Sequence, residues 1–174
     1  MGGFNLPLLE GERVRLMRAF NVLRQYEEKD FVPAYERLAQ YVLPGGLMIE
    51  GTSNPFGSMW AANLVRKEEG GMSDLWKFEA LVFSTNFRLG FEVEEFQTIL
   101  PKNLIHHVVK GEPIHDFFET WKRSVKETAA MKTYGFKQWF IASAESLAQK
   151  GYKINLQRKF LAKGYMIWGC EFNL

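Results

Sequence analysis

The sequence predicts an α/β fold, and three observations support this prediction. A strand, a helix and a second apolar strand follow one another in the first third of the chain. Two amphipathic helices occupy residues 116 to 150. Two short strand patterns close the chain around a glycine-containing turn, which predicts an antiparallel β-hairpin.

The bulk composition predicts a single domain over residues 1–174, since 47% of the residues are hydrophobic and 24% are charged. A formal net charge of +2 is too small to indicate a nucleic-acid groove, so we do not expect a nucleic-acid partner. No apolar run approaches the roughly 20 residues that span a bilayer, so no membrane partner is expected. The one cysteine, Cys170, cannot form an internal disulfide, which favours a cytoplasmic location.

The first strand is predicted over Arg13 to Phe20, where basic and apolar side chains alternate, with a short helix as the alternative. Asp30 is a candidate cap for the helix that follows. Pro33 is tolerated if it falls in the first turn of that helix. The apolar face of this helix consists of Phe31, Ala34, Tyr35, Leu38 and Val42.

A tight turn is predicted at Leu43-Pro44-Gly45-Gly46, because proline and glycine disfavour continuation of the helix. The apolar run Gly46 to Glu50 then predicts a buried strand that is parallel to its neighbours. Thr52-Ser53-Asn54-Pro55 has the composition of a loop.

The middle of the chain gives a mixed pattern. Met59 to Lys67 is predicted to be helical, and Gly70-Gly71 separates it from a strand over Leu75 to Phe87. Residues 88 to 115 predict an inserted loop or small helices. Aromatic residues make up 15% of the chain, and their spacing predicts that most of them belong to the core.

The last third predicts two helices and the closing hairpin. Asp116 starts the first helix, and the second runs from Phe136 to Lys150 with Gly151 after its end. Residues 152–157 and 165–168 are predicted as the two strands of the hairpin.

Two segments resemble the second half of class I S-adenosylmethionine-dependent methyltransferases. Phe20-Asn21-Val22-Leu23-Arg24-Gln25-Tyr26 resembles the segment after the family's fourth strand. Val42 to Gly51, with its Leu-Pro-Gly-Gly, resembles the turn from a helix into the fifth strand. The resemblance covers residues 4–67 and 136–172, and residues 70–135 correspond to an insertion for substrate recognition.

The resemblance implies a partial Rossmann-like sheet with helices, a carboxyl-terminal antiparallel β-hairpin and a mostly helical insertion. It implies methyl transfer from S-adenosylmethionine to an acceptor that the sequence does not identify. The family's glycine-rich turn after its first strand has no counterpart here, so we expect the first three strands to be absent and the isolated chain to be inactive.

Two accounts of this absence stay open. The gene is truncated or its start is placed too late, or a partner chain or a second copy covers the exposed edge of the sheet. The alternative function is that of a truncated or degenerate domain that acts as a non-catalytic interaction module.

The candidate site residues follow the ends of two predicted strands. Asn21, Arg24 and Tyr26 are candidate cofactor-binding residues by resemblance, with a helix or turn cap as the alternative role of Asn21. Ligands of open α/β sheets bind beyond the carboxyl ends of the strands, which marks a second group as candidate substrate-binding residues. This group consists of Glu50, Thr52, Ser53 and Asn54.

His106, His107 and His115 lack the spacing of a metal site, so no metal is expected. The same histidines are candidates for a general base. Cys170 lies in an apolar segment and is expected to pack there.

Overall fold

The computed structural model describes residue 6, residues 8–68, residues 76–170 and residue 172. Within these residues five strands form one mixed sheet in the order β1-β2-β3-β4-β5. They are β1 (Val14–Phe20), β2 (Val42–Ser53), β3 (Met59–Lys67), β4 (Trp76–Thr85) and β5 (Tyr165–Trp168). β1 and β2 are parallel, and each later pair is antiparallel. The predicted α/β class is confirmed in this mixed form, but the prediction that β2 is parallel to its neighbours holds only for β1, because β3 is antiparallel to it.

The helices of the described chain are α1 (Glu28–Ala39), α2 (Val93–Gln97), α3 (Lys102–Ile105), α4 (Pro113–Glu127), α5 (Phe136–Gln149) and α6 (Arg158–Leu161). Two 3-10 helices, Leu23–Gln25 and Ala129–Tyr134, precede α1 and α5. Among the described residues, no helix combines the length and the apolar character needed to cross a membrane.

Helix α1 packs on the sheet with four of the five residues of the predicted apolar face, and the fifth, Val42, is instead the first residue of β2. Phe31, Ala34, Tyr35 and Leu38 are all buried, as their helical spacing indicates. The cap assignment at Asp30 is wrong, because α1 begins two residues earlier with Glu27 as its N-cap residue. Consequently Pro33 is the sixth residue of the helix and lies beyond its first turn.

The Leu-Pro-Gly-Gly segment lies inside β2 and is not the predicted turn. α1 already ends at Ala39, and β2 starts at Val42. The parallel register shifts between Val14 and Leu16, opposite this segment, and Gly45 has φ +71°. Proline and a left-handed glycine are therefore accommodated in a strand irregularity next to the sheet edge.

Residues 59–67 form strand β3, so the prediction of a helix there is wrong. β3 is hydrogen-bonded to β2 on one side and to β4 on the other. Ala61 and Ala62 favour a helix when considered alone, but pairing with two neighbouring strands overrides this preference. Their small side chains suit the position, because both residues lie against Gly51 of β2.

The predicted strand before Phe87 is confirmed as β4, which lies between β3 and β5. Gly70, Gly71 and Leu75, where the sequence predicts a break and the start of this strand, lie outside the described residues. The segment 70–135 thus contributes an inner strand of the sheet. Residues 88–115 contain the short helices α2 and α3, as expected from their composition.

Helices α4 and α5 enclose an aromatic core, which confirms the core assignment of most aromatic residues. Trp121 of α4 is fully buried, and its Nε1 donates to Ser143 Oγ of α5 at 3.1 Å. Phe117 stacks on Trp168 of β5 with ring centroids 4.1 Å apart. These contacts join α4 to α5 and to β5.

The closing segment retains only part of the predicted hairpin. β5 pairs with β4, whereas residues 152–157 make a single antiparallel bridge, from Ile154 to Trp168. α6 lies between the two segments, so the connection is too long for a tight β-turn. Gly151 follows the C-cap residue Lys150 of α5 with φ +95°, which confirms it as the glycine after the end of the helix.

We predict that Gly51→Ala destabilises the sheet by about 1–3 kcal/mol. A Cβ at this position would lie 2.6 Å from Ala62 Cβ and closer still to the Ala61 carbonyl oxygen. Urea denaturation measures the effect, and Gly169→Ala is the matched control because its Cβ would be 3.6 Å from the nearest atom, Lys153 O. Equal stability of the two variants would contradict the close approach of β2 and β3.

Candidate functional site

Polar side chains meet at the carboxyl ends of the two parallel strands. Asn21 follows β1 with φ +59°, and its backbone N donates to Gly51 O at 2.8 Å. Its Nδ2 donates to Ser53 Oγ at 3.0 Å, and its Oδ1 accepts from Ser53 N at 2.9 Å. We call this reciprocal pair the Asn21–Ser53 clasp. Asparagine tolerates the left-handed conformation better than most residues, which suits it to this position.

Asn54 closes the hairpin between β2 and β3. Its Oδ1 accepts from Ser58 N at 2.9 Å, and its Nδ2 donates to Ser58 Oγ at 2.8 Å. Both polar atoms of the Asn54 side chain are therefore engaged within the loop. This is the local turn chemistry that its loop composition indicates.

The other two candidate cofactor residues lie just beyond the clasp. Arg24 is exposed, and its Nη2 donates to the Thr98 carbonyl oxygen at 3.5 Å. Tyr26 is half-buried and packs against the hydrophobic core. These three residues thus lie in and around the 3-10 helix that follows β1. The cofactor role of Asn21, Arg24 and Tyr26 stays a prediction.

Glu50 and Thr52 lie inside the sheet because β2 continues to Ser53. Both are buried, with exposed fractions of 0% and 1%. Alternate residues of a strand point to opposite faces, so both side chains share the face with buried Met48. Ser53 points to the other face and is only partly buried. The substrate-binding role of these residues also stays a prediction.

The Glu50 carboxylate is the centre of a buried polar network. Tyr35 Oη of α1 donates to Glu50 Oε2 at 3.1 Å. Asn63 Nδ2 of β3 lies 3.2 Å from the same oxygen and 2.8 Å from Asn103 Oδ1 of α3. The network therefore joins α1, β2, β3 and α3 through side chains alone.

Some polar atoms of this network have several possible hydrogen-bond partners, whereas others have none among the described residues. Asn63 Nδ2 carries two hydrogens but has three acceptors in reach, of which Tyr35 Oη is the most distant at 3.4 Å. Glu50 Oε1, Asn63 Oδ1 and Asn103 Nδ2 are buried without a partner among the described residues.

Burial controls the protonation of both acidic groups. It raises the pKa of Glu50 to about 7, against the opposing effect of the hydrogen bonds from Tyr35 and Asn63. Burial, followed by the negative charge of Glu50, raises the pKa of the Tyr35 phenol well above its ordinary value. Tyr35 therefore remains a donor, while Glu50 changes charge near neutral pH.

Sequence reasoning missed Tyr35, Asn63 and Asn103 as partners of Glu50. The sequence predicts Tyr35 only as part of an apolar helix face, and Asn63 lies in a segment that the sequence predicts to be helical. The available signal was Glu50 itself, since a carboxylate at the end of a buried apolar run requires hydrogen-bond donors nearby.

Two of the three histidines lie next to a carboxylate that is close in sequence. His107 Nδ1 lies 3.6 Å from Glu112 Oε2, and His115 Nδ1 lies 3.3 Å from Asp116 Oδ1. No group of three or more His, Cys, Asp or Glu side chains in the described part of the chain is placed to hold a metal ion. Burial raises the pKa of the Cys170 thiol to about 12, which keeps it protonated and unreactive.

Several cavities border the described residues away from the clasp. One of about 270 Å³ is bordered by Asn103, His107 and Glu112, so it adjoins the outer end of the Glu50 network. A more open one of about 650 Å³ lies between β4 and the closing segment, with Lys77 and Lys153 at its border.

Comparison with known protein families, with curated proteins and with solved structures gives no match to this chain.

We predict that Glu50→Gln stabilises the protein at pH 8 by up to about 3 kcal/mol, with little change near pH 4.5. The folded pKa of about 7 exceeds the ordinary 4.5, so folded Glu50 holds a proton that the unfolded chain has released between these values. The free energy of unfolding of the wild type therefore falls as pH rises through this window. Glutamine cannot ionise and avoids this loss.

Urea denaturation at both pH values measures this difference. Glu145→Gln, at an exposed position of α5, is the matched control for the loss of one carboxylate. A Glu50→Gln variant that is equally destabilised at both pH values would contradict the proton-dependent role of Glu50.

Proposed function

We propose that this chain is part of a class I methyltransferase-type sheet and takes part in methyl transfer from S-adenosylmethionine when further polypeptide completes the sheet. The observation that supports this proposal is the parallel β1-α1-β2 unit with the Asn21–Ser53 clasp at its carboxyl ends. The segment with the strongest sequence resemblance, Asn21 to Arg24, begins at this clasp. Ligands of open α/β sheets bind at such ends.

The residues at this position do not form a cofactor cradle by themselves. Both polar side-chain atoms of Asn21 are bonded to Ser53, and those of Asn54 are bonded within its loop. Among the described residues, β1 is followed by Asn21 and a 3-10 helix and not by a glycine-rich turn. We therefore assign no step of methyl transfer to these side chains, and expect the chain alone to bind the cofactor weakly.

A second candidate function is that of a non-catalytic module that binds another polypeptide. The observation that favours it is the position of β1 at the end of the sheet, since only one of its two edges pairs with a described strand. An unpaired edge of seven residues is a template for an additional strand. This candidate shares the fold with the first but needs no cofactor.

We predict that S-adenosylhomocysteine binds the isolated chain with a dissociation constant of about 1 mM or weaker. Two-dimensional ¹H–¹⁵N NMR should show fast-exchange shifts confined to amides of residues 21–26 and 51–54. Asn21→Ala should abolish these shifts because it removes the clasp. Asn86→Ala should preserve them, since Asn86 follows β4 and its Oδ1 accepts only from a nearby backbone amide, Arg88 N.

Tight stoichiometric binding would contradict the expectation that the cofactor site is incomplete. Shifts confined to other regions would contradict its location at the clasp. An absence of shifts, together with binding of a polypeptide at β1, would favour the non-catalytic module.

A further inference from the structure

The edge of β1 that faces away from β2 pairs with no described strand, and we call it the free edge. It presents backbone groups in a defined pattern. Asn21 N donates to Gly51 O, so the amide of Asn21 points towards β2. In a parallel pair, alternate residues direct their backbone groups to opposite edges. The N–H and C=O groups of Arg18 and Phe20 therefore point away from β2, towards the free edge. An incoming strand can bond to these groups without displacing any described strand.

The same strand carries only positive charges. Arg15 and Arg18 lie within β1, and Arg13 directly precedes it; all three side chains are exposed. None of them has a carboxylate within salt-bridge distance in the part of the chain that the structure describes. Arg18 lies over the Phe20 ring, with 4.3 Å from its guanidinium carbon to the ring centroid. That contact holds one positive charge on the outer face of the edge strand.

We propose that the free edge of β1 binds an extended, acidic segment of another polypeptide as an additional strand. Backbone hydrogen bonds to Arg18 and Phe20 align the segment, and one of its carboxylates lies opposite Arg18 on the outer face of the strand. Opposite charges at cross-strand positions stabilise a sheet, whereas like charges destabilise it. This inference rests on the proposed function in one respect, because it states the chemistry of the polypeptide that would complete the sheet.

A second copy of this chain does not fit this edge. Pairing β1 with itself would bring four arginines, Arg15 and Arg18 of each copy, into a ribbon of about 20 Å, with no acidic residue inside the strand. At physiological salt the screening length is about 8 Å, so these charges repel one another appreciably. Arginines at this edge oppose self-association and select for an acidic partner.

The test uses two fluorescent eight-residue peptides on a common valine frame, one alternating with glutamate and the other with lysine. At low ionic strength we expect the glutamate peptide to bind the full chain about tenfold more tightly than the lysine peptide does. This difference in affinity should decrease at high salt. Fluorescence anisotropy measures the affinities. Amide hydrogen exchange should show new protection at Arg18 and Phe20.

Charge reversal tests the same inference within the chain. The double variant Arg15→Glu, Arg18→Glu should prefer the lysine peptide, while Arg158→Glu, Lys159→Glu should retain the wild-type preference. The control pair is exposed on α6 and changes the net charge by the same amount. Circular dichroism checks that both double variants fold, and the salt dependence of the wild type tests the inference without any variant.

Equal affinity for the two peptides, or protection away from β1, would overturn the proposal. A wild-type dimer that protects Arg18 and Phe20 would overturn it as well, since the occupant would then be a second copy. No cofactor is present in these measurements. Their failure is therefore distinguishable from a failure of S-adenosylhomocysteine to shift the amides of the clasp.

Discussion

The arrangement of the first half of the chain depends on one buried carboxyl group. Glu50 is fully enclosed in the middle strand of the β1-β2-β3 unit, and an ionised carboxylate is costly there unless donors surround it. Tyr35 and Asn63 provide those donors from α1 and β3, and Asn103 extends the network to α3. Hydrogen bonds are directional, so this network restricts the positions of two helices more than apolar contacts alone would. Burial raises the pKa of Glu50 to about 7, so we expect the stability that this network contributes to depend on pH near neutrality.

The sequence predicts correctly those elements whose pattern depends only on their own residues. The buried face of α1 follows from the spacing of Phe31, Ala34, Tyr35 and Leu38, and the glycine after α5 follows from the residue type required there. β3 was missed because its evidence lies elsewhere in the chain. Ala61 and Ala62 favour a helix locally, and only the approach of Gly51 explains why small residues are needed in that strand. The Leu-Pro-Gly-Gly segment was misassigned for a similar reason, since its irregular register depends on β1.

The candidate site was predicted in part. Parallel strands place their carboxyl ends at one edge of a sheet, so the proximity of Asn21 and Ser53 could be anticipated from the predicted β-α-β order. The complete burial of Glu50 could not be anticipated, because it depends on where β2 ends. The strand continues three residues beyond Glu50, so this carboxyl lies inside the sheet and not at the carboxyl end of the strand, where the sequence predicts it. Strand alternation then directs Glu50 and Thr52 to the helical face and Ser53 to the opposite one.

The two faces of the edge strand β1 differ in burial, and its arginines both protect the exposed face and select the partner of the strand. Met17 and Ala19 of β1 are buried on the face that α1 covers, whereas Leu16 on the other face is 57% exposed. An apolar edge strand with an open side is prone to unwanted pairing, and charged side chains are a common protection against it. Arg18 shields the Phe20 ring with its guanidinium and at the same time repels another basic strand. Protection by charge leaves the backbone groups of the edge available, so the arginines that exclude a second copy leave the edge accessible to a strand of opposite charge.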